Sequence, residues 1–168
     1  MRLASFRERY ERFLEWIVIG LMAALAVEVT AGVIFRYSGY SLVWYDEVAT
    51  ILLAWVTFYG SALAVLKHAH MGVPEIVRMM PRGPRVAVTI FGQLLTIAFY
   101  LLLAWTGVTI LEILSTDSLV SLPWVSVAVA NSVIPLSAVL IIIGQVLVFP
   151  EVLEEARRGD VTKAGELI

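Results

Sequence analysis

The chain has 168 residues, of which 60% are hydrophobic and only 15% charged, with a formal net charge of −2. A soluble domain of this length cannot hide so much apolar surface from water, so the composition excludes an ordinary soluble enzyme and also disorder. The small net charge gives no sign of a nucleic-acid partner, and the absence of cysteine excludes disulfides, thiolate metal sites and thiol catalysis.

Four stretches have the length and apolar content of a membrane-spanning helix, which needs about 20 residues. They cover residues 14–35, 44–66, 86–114 and 124–149. Each can cross lipid only as a helix, because no alternation typical of a strand is present. The sequence therefore predicts an all-α integral membrane protein with a single membrane domain over residues 1–168 and a short cytoplasmic tail over 150–168.

The segment before the first span, residues 2–13, has the pattern of an interfacial amphipathic helix. Its apolar residues recur at spacings of three and four: Leu3, Phe6, Tyr10, Phe13 and Ile17. Charged residues fill most of the other positions, which is typical of a helix that lies on the inner leaflet and continues into the span. The apolar run of span one is too long for a signal peptide, so a retained anchor is expected. A second interfacial segment is predicted over 74–80, with an irregular loop as the alternative.

The distribution of Lys and Arg predicts the orientation. Eleven of the 12 basic residues precede span one, lie between spans two and three, or follow span four, and only Arg36 lies in the other loops. Because cytoplasmic loops carry the excess of basic residues, both termini are expected in the cytoplasm. The loops 36–43 and 115–123 are then outside.

Span one carries small residues at every fourth position, with a carboxylate among them. The stripe comprises Gly20, Ala24, Glu28, Gly32 and Arg36. Small side chains at this spacing let helices approach closely in lipid. Glu28 lies within the hydrocarbon, where a carboxylate normally faces protein or water. It is either an ion or proton site or a group that fixes helix packing, and the lack of a second acid at its depth favours packing.

The depth of Glu28 suggests its partners. Glu28 lies eight residues inside Arg36, or about 12 Å, and Asn131 lies seven residues inside Trp124, or about 10 Å. We expect Glu28 to be buried in protein and to bond with Asn131, with Thr50 or with a donor from a partner chain.

Span two has a polar and small-residue seam at alternating spacings of three and four. Its members are Glu47, Thr50, Ala54, Thr57, Ser61 and Ala64. Such a seam could line a pore, but hydroxyls and alanines at this spacing favour contact with another helix. Bulky residues, including Trp55 and Tyr59, are expected to lie away from it.

The outer ends of spans one and two bring charges together. Asp46 and Glu47 open span two, where acids suit a helix N-terminus, and Arg36 closes span one at the same level. An ion pair of Arg36 with Glu47 or with Asp46 is therefore expected. Together with Trp44, these residues should form a rigid corner. No histidine is near them, so no metal site is expected.

The remaining polar residues show no catalytic arrangement. His68 and His70 follow span two and are expected to face solvent or lipid, because two histidines at one helix end do not face each other as haem ligands do. Asn131 and Pro135 are expected to interrupt and kink span four. The chain contains no nucleophile–base set, phosphate-binding glycine loop or catalytic carboxylate pair.

The segment from Phe35 to His70 resembles the small membrane subunit of tripartite ATP-independent periplasmic (TRAP) transporters, the DctQ-like family. The residues that carry the resemblance are Arg36, Trp44, Asp46, Glu47, Trp55, Gly60 and His68. The length, the four spans and the cytoplasmic termini also fit. Beyond His70 only the hydropathy matches.

The resemblance implies a multi-pass subunit of a bacterial or archaeal inner membrane. In that family a large membrane subunit holds the solute and sodium sites and moves as an elevator, and a periplasmic solute-binding protein delivers the solute, often an organic acid. The small subunit would brace the immobile part of the large one, without a solute site or cofactor of its own. Its partners would be the large subunit, the binding protein and membrane lipid, with the corner at Arg36 and Glu47 near the docking face of the binding protein.

Two other functions compete with this one. A self-sufficient four-span exporter would use Glu28 as its proton-coupled site, but the strong charge bias argues against the dual orientation found in some such exporters. A redox membrane anchor is poorly supported by two histidines so close together in the sequence.

Overall fold

The computed structural model describes residues 2–40, 42–67 and 81–158, and the regular structure in these ranges is helical. The helices are α1 (Arg2–Tyr37), α2 (Tyr45–Leu66), α3 (Arg82–Leu114), α4 (Val127–Asn131) and α5 (Val133–Arg158). Helices α1, α2, α3 and the α4–α5 pair are each long and apolar enough to cross a membrane. The predicted all-α membrane fold with four spans is therefore confirmed, while the orientation of the termini stays a prediction.

The order of the helices in space differs from their order in the chain. Helix α2 packs between α1 and α5, and α5 packs between α2 and α3. Helix α5 is accordingly the most buried of the four spans, and α1 and α3 flank the bundle. The buried core consists of Leu14, Tyr59, Ala62, Val65, Leu66, Val133, Ile141 and Val148. Much of this core lies at the end of the bundle where α2 finishes, which is the predicted cytoplasmic end.

Helix α1 has 36 residues, or about 54 Å, against a hydrocarbon thickness of about 30 Å. Residues 2–13, predicted as an interfacial helix that continues into span one, are helical and continue into the span without a break. No proline or glycine precedes Gly20, so nothing in the sequence ends the helix there. The predicted apolar stripe is divided, because Tyr10 packs against the core whereas Phe6 and Phe13 are exposed. Contact of this segment with the leaflet stays a prediction.

The other helices extend somewhat beyond the predicted spans. Helix α3 begins at Arg82 and accommodates Pro84 in its first turn, where a missing N–H costs nothing. Helix α5 continues through Pro150 to Arg158, so the first part of the predicted tail is helical. The predicted segment at 74–80, the two histidines and residues 159–168 lie outside the described residues.

The break between α4 and α5 has an identifiable cause. Pro135 has no N–H to donate to the carbonyl of Asn131, and its ring would collide with that carbonyl in a continuous helix. Helix α4 ends at Asn131 and α5 starts at Val133, with Ser132 between them. This is the interruption predicted from Asn131 and Pro135.

Candidate functional site

The predicted outer end of the bundle is organised around one carboxylate. Glu47 lies in the first turn of α2 and accepts hydrogen bonds from the backbone N–H groups of Val120, at 3.1 Å, and Ser121, at 2.9 Å. It also accepts the hydroxyl of Ser121. These donors belong to the loop between α3 and α4. Glu47 therefore fastens that loop to the start of α2, across more than 70 residues of sequence.

The fastened loop is also held by its own backbone. The N–H of Leu119 donates to the carbonyl of Val125 at 2.9 Å, and the N–H of Val127 donates to the backbone carbonyl of Asp117 at 3.0 Å. Leu119 points inward and is 8% exposed, whereas Val120 and Trp124 are 94% and 80% exposed. Residues 115–126 together with Glu47 are called the outer clasp below. It is a structured cap that exposes two large apolar side chains, Val120 and Trp124.

The predicted ion pair of Arg36 with Glu47 or Asp46 is wrong for the described part of the chain. Arg36 is exposed in the last turn of α1, where a cation is favoured by the helix dipole, and it forms no ion pair with another described residue. The Glu47 oxygens serve the loop instead. Asp46 is exposed, and Trp44 precedes α2 without a capping side-chain bond. Among the described residues, Glu47 is thus the one member of the four predicted corner residues whose side chain makes a long-range hydrogen bond.

The stripe of α1 divides into an exposed part and a packed part. Gly20 and Ala24 are exposed, and a Cβ added at Gly20 would meet nothing within 4 Å in the described chain. Gly32 is buried, and an added Cβ would collide with the ring of Tyr45. Close approach of α1 and α2 therefore depends on Gly32 and not on the whole stripe.

Glu28 lies in this stripe and lacks the predicted partners within the chain. Its Oε1 atom is buried and accepts no hydrogen bond from the described residues. The Asn131 amide donates to the carbonyl of Val127 at 3.0 Å, and the Thr50 hydroxyl donates to that of Asp46 at 2.7 Å. Both donors are used within their own helices, so the pairing with Asn131 or Thr50 is wrong. A donor from a partner chain stays a prediction.

The polar seam of α2 is only partly buried among the described residues. Thr50 and Thr57 are exposed, and the Thr57 and Ser61 hydroxyls donate to carbonyls four residues earlier in their own helix. The buried face carries larger side chains, including Tyr59 and Leu66. Gly60 has no neighbour within 4 Å of an added Cβ. Large apolar groups fill most of the space between these helices, and the two threonines of the seam are left on the outside.

Trp55 has a structural role that the sequence analysis missed. Its indole N–H donates to the carbonyl of Ala130 at 3.0 Å, at the end of α4. A helix end leaves carbonyl groups without partners, and in lipid each must find a donor. The sequence contains a signal for this contact. A proline-broken span leaves carbonyl groups without donors, and a tryptophan in another span can supply an N–H.

Two glycines and two glutamines complete the internal contacts that sequence reasoning missed. An added Cβ at Gly107 would lie 3.0 Å from the Pro135 ring, and one at Gly144 would lie 3.3 Å from Val65. These glycines set the close approach of α3 and α2 to α5. The Gln93 amide donates to the Gln145 side-chain oxygen at 2.6 Å, which pairs two polar groups that appear isolated in the sequence.

The predicted cytoplasmic end is tied by cations. Arg7 forms an ion pair with Glu151 and also donates to the carbonyl of Leu66, at 2.9 Å. Lys67 lies 2.5 Å from Glu15 and 3.8 Å from Glu11. The hydrogen bond from Lys67 to the Glu15 carboxylate, followed by the Coulombic attraction of the pair, raises the pKa of Lys67. These contacts are called the cytoplasmic ties.

Two more donors act at the same end. The Tyr10 hydroxyl donates to the carbonyl of Leu140 at 2.8 Å, and the Arg85 side chain donates to that of Ala156 at 2.8 Å. Arg85 thereby serves one of the last carbonyls of α5, which has no partner within the helix. Basic residues that the charge bias assigned only to orientation thus also fasten helices to one another.

No cluster of His, Asp or Glu suited to a metal ion occurs among the described residues. Apart from Glu28, the buried polar side-chain atoms of the described spans are used in contacts between or within helices. The arrangement can hold four helices and an outer loop in fixed positions, and within the described ranges it brings no metal-binding set of side chains to one point.

Comparison with known proteins shows the family to which the chain belongs. The sequence model of the family described as Tripartite ATP-independent periplasmic transporters, DctQ component, matches residues 25–154. A curated relative is the C4-dicarboxylate TRAP transporter small permease protein DctQ of Vibrio cholerae serotype O1, which is 28% identical over 103 residues. That match covers 61% of this chain and 43% of the relative. The family match runs from the middle of α1 nearly to the end of α5 and includes Glu28, Glu47 and Asn131. The chain therefore belongs to the DctQ component family of TRAP transporters, as one of their small membrane subunits.

Proposed function

We propose that the chain is the small permease subunit of a sodium-coupled, binding-protein-dependent transporter for a small organic acid. In this proposal it braces a large membrane subunit that carries the solute and sodium sites. The family supports the assembly with a large permease and a periplasmic binding protein. Because the Vibrio relative is a C4-dicarboxylate TRAP transporter small permease protein, a C4-dicarboxylate is the first solute to test.

The observation that carries the scaffold role is the use made of polar groups within the spans. Trp55 serves a helix end, Gln93 pairs with Gln145, and Asn131 bonds within its own helix. Each of these groups forms its hydrogen bond within the chain and is therefore not free to bind a solute. A solute site would instead require several polar groups free to converge on a ligand. An elevator needs a frame of this kind, because its mobile part must move against something that stays in place.

The outer clasp extends the proposal to the binding protein. Val120 and Trp124 expose apolar surface on a loop that Glu47 holds in one position. A fixed loop loses little conformational freedom when it is contacted, so a docked protein would not need to order it first. We place the docking face of the binding protein at this clasp and not at Arg36.

Reconstitution in liposomes with an inward sodium gradient tests the proposal. Uptake of labelled succinate is compared for this chain alone, the large subunit alone, and both together, each with the binding protein supplied. Uptake is expected only with both membrane subunits present. Uptake by the lone chain would end the scaffold proposal, and full uptake by the large subunit alone would show that the chain is dispensable.

The alternative is a self-sufficient exporter that uses Glu28, and one substitution separates it from the scaffold. Glu28→Gln keeps the shape and a hydrogen-bonding oxygen but cannot exchange a proton. Interhelical hydrogen bonds in lipid are worth about 0.6–2 kcal/mol, so a structural Glu28 should tolerate this change. Normal assembly and uptake are expected for Glu28→Gln. Normal assembly with loss of transport would instead establish Glu28 as a proton or ion site.

A further inference from the structure

The first turns of α1 have two faces of different chemistry. Tyr10 and Leu14 face the bundle, and Leu14 is completely buried. The opposite side carries four residues within one arc of about 100°, because an α-helix has 3.6 residues per turn. They are Arg9, Arg12, Phe13 and Trp16. Along the helix the arginines come first and the aromatic rings follow, about one turn further into the apolar span.

This outward face has no partner in the described chain. Trp16 is 69% exposed and Phe13 is 56% exposed, and both arginines are exposed as well. Neither Arg9 nor Arg12 forms an ion pair with any side chain described, in contrast to Arg7 on the other face, which serves Glu151.

Two acids lie beside this face. Glu8 is exposed one turn before Arg12 and forms no ion pair with it, and Glu15, about one turn after Arg12, is paired with Lys67. Because Lys67 neutralises Glu15, two arginines and one glutamate leave the face with a net positive charge.

We infer that Arg9, Arg12, Phe13 and Trp16 form a binding site for the headgroup of an anionic phospholipid. Guanidinium groups bind phosphate oxygens in a bidentate geometry, and arginine sheds its hydration more readily than lysine. Aromatic rings just below them lie at the level of the glycerol and ester groups, which is where tryptophan is enriched in membrane proteins. A free phosphate ion would use the arginines and leave the rings without a role, so a lipid is the occupant that uses the whole face.

The site belongs to this chain and does not depend on the proposed transport function. In the predicted orientation it faces the cytoplasmic leaflet, where anionic lipids attract basic residues by about 1 kcal/mol each, or about fivefold in affinity. A bound lipid would fix the depth of α1 in the membrane and resist sliding of the helix along the membrane normal.

Quenching of Trp16 by brominated lipid tests the site. The full-length chain is reconstituted in phosphatidylcholine bilayers that contain a small fraction of either brominated phosphatidylglycerol or brominated phosphatidylcholine. The Trp16 signal is taken as the difference between each protein and its Trp16→Phe counterpart. Stronger quenching by the phosphatidylglycerol probe is expected, and Arg9→Gln with Arg12→Gln should weaken its binding about 30-fold. Arg9→Lys with Arg12→Lys should retain part of the preference, because the charge remains.

A matched control removes the same charge elsewhere. Arg82→Gln with Arg157→Gln changes two exposed arginines of other helices and should leave the preference intact. Helicity by circular dichroism confirms that each variant is folded, and mass spectrometry of the purified proteins provides a second readout as retained phosphatidylglycerol.

Several results would overturn the inference. These are equal quenching by the two probes, an equal loss in the control variant, or displacement of the lipid by inorganic phosphate at matched ionic strength. A photoreactive residue at position 16 that cross-links to the large subunit in the intact complex, and not to lipid, would assign the face to a protein partner.

Discussion

At the predicted outer end, one carboxylate holds a whole loop, whereas at the predicted cytoplasmic end several cations share the work of holding the helices. Glu47 accepts three hydrogen bonds from two neighbouring residues of the outer clasp. At the other end, Arg7 and Lys67 both tie α1 to α2, Arg7 also ties α1 to α5, and Arg85 ties α3 to α5. The outer end therefore depends on single groups, and the cytoplasmic end is redundant. Single substitutions should have larger consequences outside than inside.

The largest effect is expected at Gly107, where α3 meets the rigid ring of Pro135. The Cβ atom alone would lie 3.0 Å from the Pro135 ring, and Gly107→Val adds two further carbon atoms to this contact. Overpacking of this kind costs about 1–3 kcal/mol, and a proline ring in a helix has little room to move. We expect the variant to unfold at a lower temperature in detergent and to assemble poorly.

Gly92→Val is the matched control for this prediction. It makes the same change in the same helix, but an added Cβ at Gly92 meets nothing within 4 Å. The cost in helix propensity is the same for both variants, so the difference between them isolates the contact with Pro135. Equal unfolding temperatures would mean that the α3–α5 contact does not limit stability.

Residue pattern predicts the spans of this fold well, but not which face of a span is turned inward. Length and hydropathy locate four helices, and Pro135 marks the break in the last one, because these are local properties. Lipid is as apolar as a protein core, so a span has no wet face from which its orientation can be inferred. For this reason the α2 seam at Thr50 and Thr57 was assigned to packing although it lies outside.

Contacts between distant parts of the chain are the second limit of sequence reasoning. Arg36 and Glu47 are close in sequence and opposite in charge, and for this reason the sequence predicts an ion pair between them. The actual donors to Glu47 are at residues 120–121, and they are backbone N–H groups that every loop possesses. No sequence pattern distinguishes those two N–H groups from others. The sequence singles out Glu47 as a candidate, but its hydrogen-bond partners could be found only from the fold.

The second prediction breaks the outer clasp. Glu47→Ala leaves two backbone N–H groups and the Ser121 hydroxyl without their acceptor, so the loop should open more often. Hydrogen exchange at the amides of Val120 and Ser121 should accelerate roughly tenfold, the amount expected for loss of one or two net hydrogen bonds. Binding of the periplasmic protein should weaken in parallel.

Asp46→Asn serves as the control for the clasp. It changes the adjacent acid, which is exposed and whose side chain forms no bond to the loop among the described residues. Exchange at 120–121 should match that of the unmodified chain. If Glu47→Ala also left these amides protected, the backbone bonds of the loop itself would be sufficient to hold it.

The third prediction concerns Arg7 at the cytoplasmic end. Arg7→Gln removes the ion pair with Glu151 and weakens the bond to the Leu66 carbonyl. The Arg7 side chain is only 22% exposed, so its ion pair is less screened than a fully exposed one, and a loss of about 1 kcal/mol in unfolding free energy is expected. Arg157→Gln, on an exposed arginine, should change the same measurement little. A loss of unfolding free energy larger than that of Glu47→Ala would reverse the proposed ranking of the two ends.

The smallest effect is expected at Lys67, whose charge is exposed to water. The hydrogen bond with Glu15 raises the pKa of Lys67, so the folded state favours the charged amine. The associated stabilisation is fully present below the ordinary pKa of lysine, about 10.4, and is lost as the pH rises through the raised value. Lys67→Gln should therefore be slightly less stable at neutral pH and equal to the unmodified chain in strongly alkaline solution. Because the pair is exposed, the difference at neutral pH should also shrink between about 0.1 M and 1 M salt, where the screening length falls from about 10 Å to 3 Å. A difference that persists in 1 M salt or at high pH would mean that Lys67 acts through its packing at the end of α2 and not through its charge.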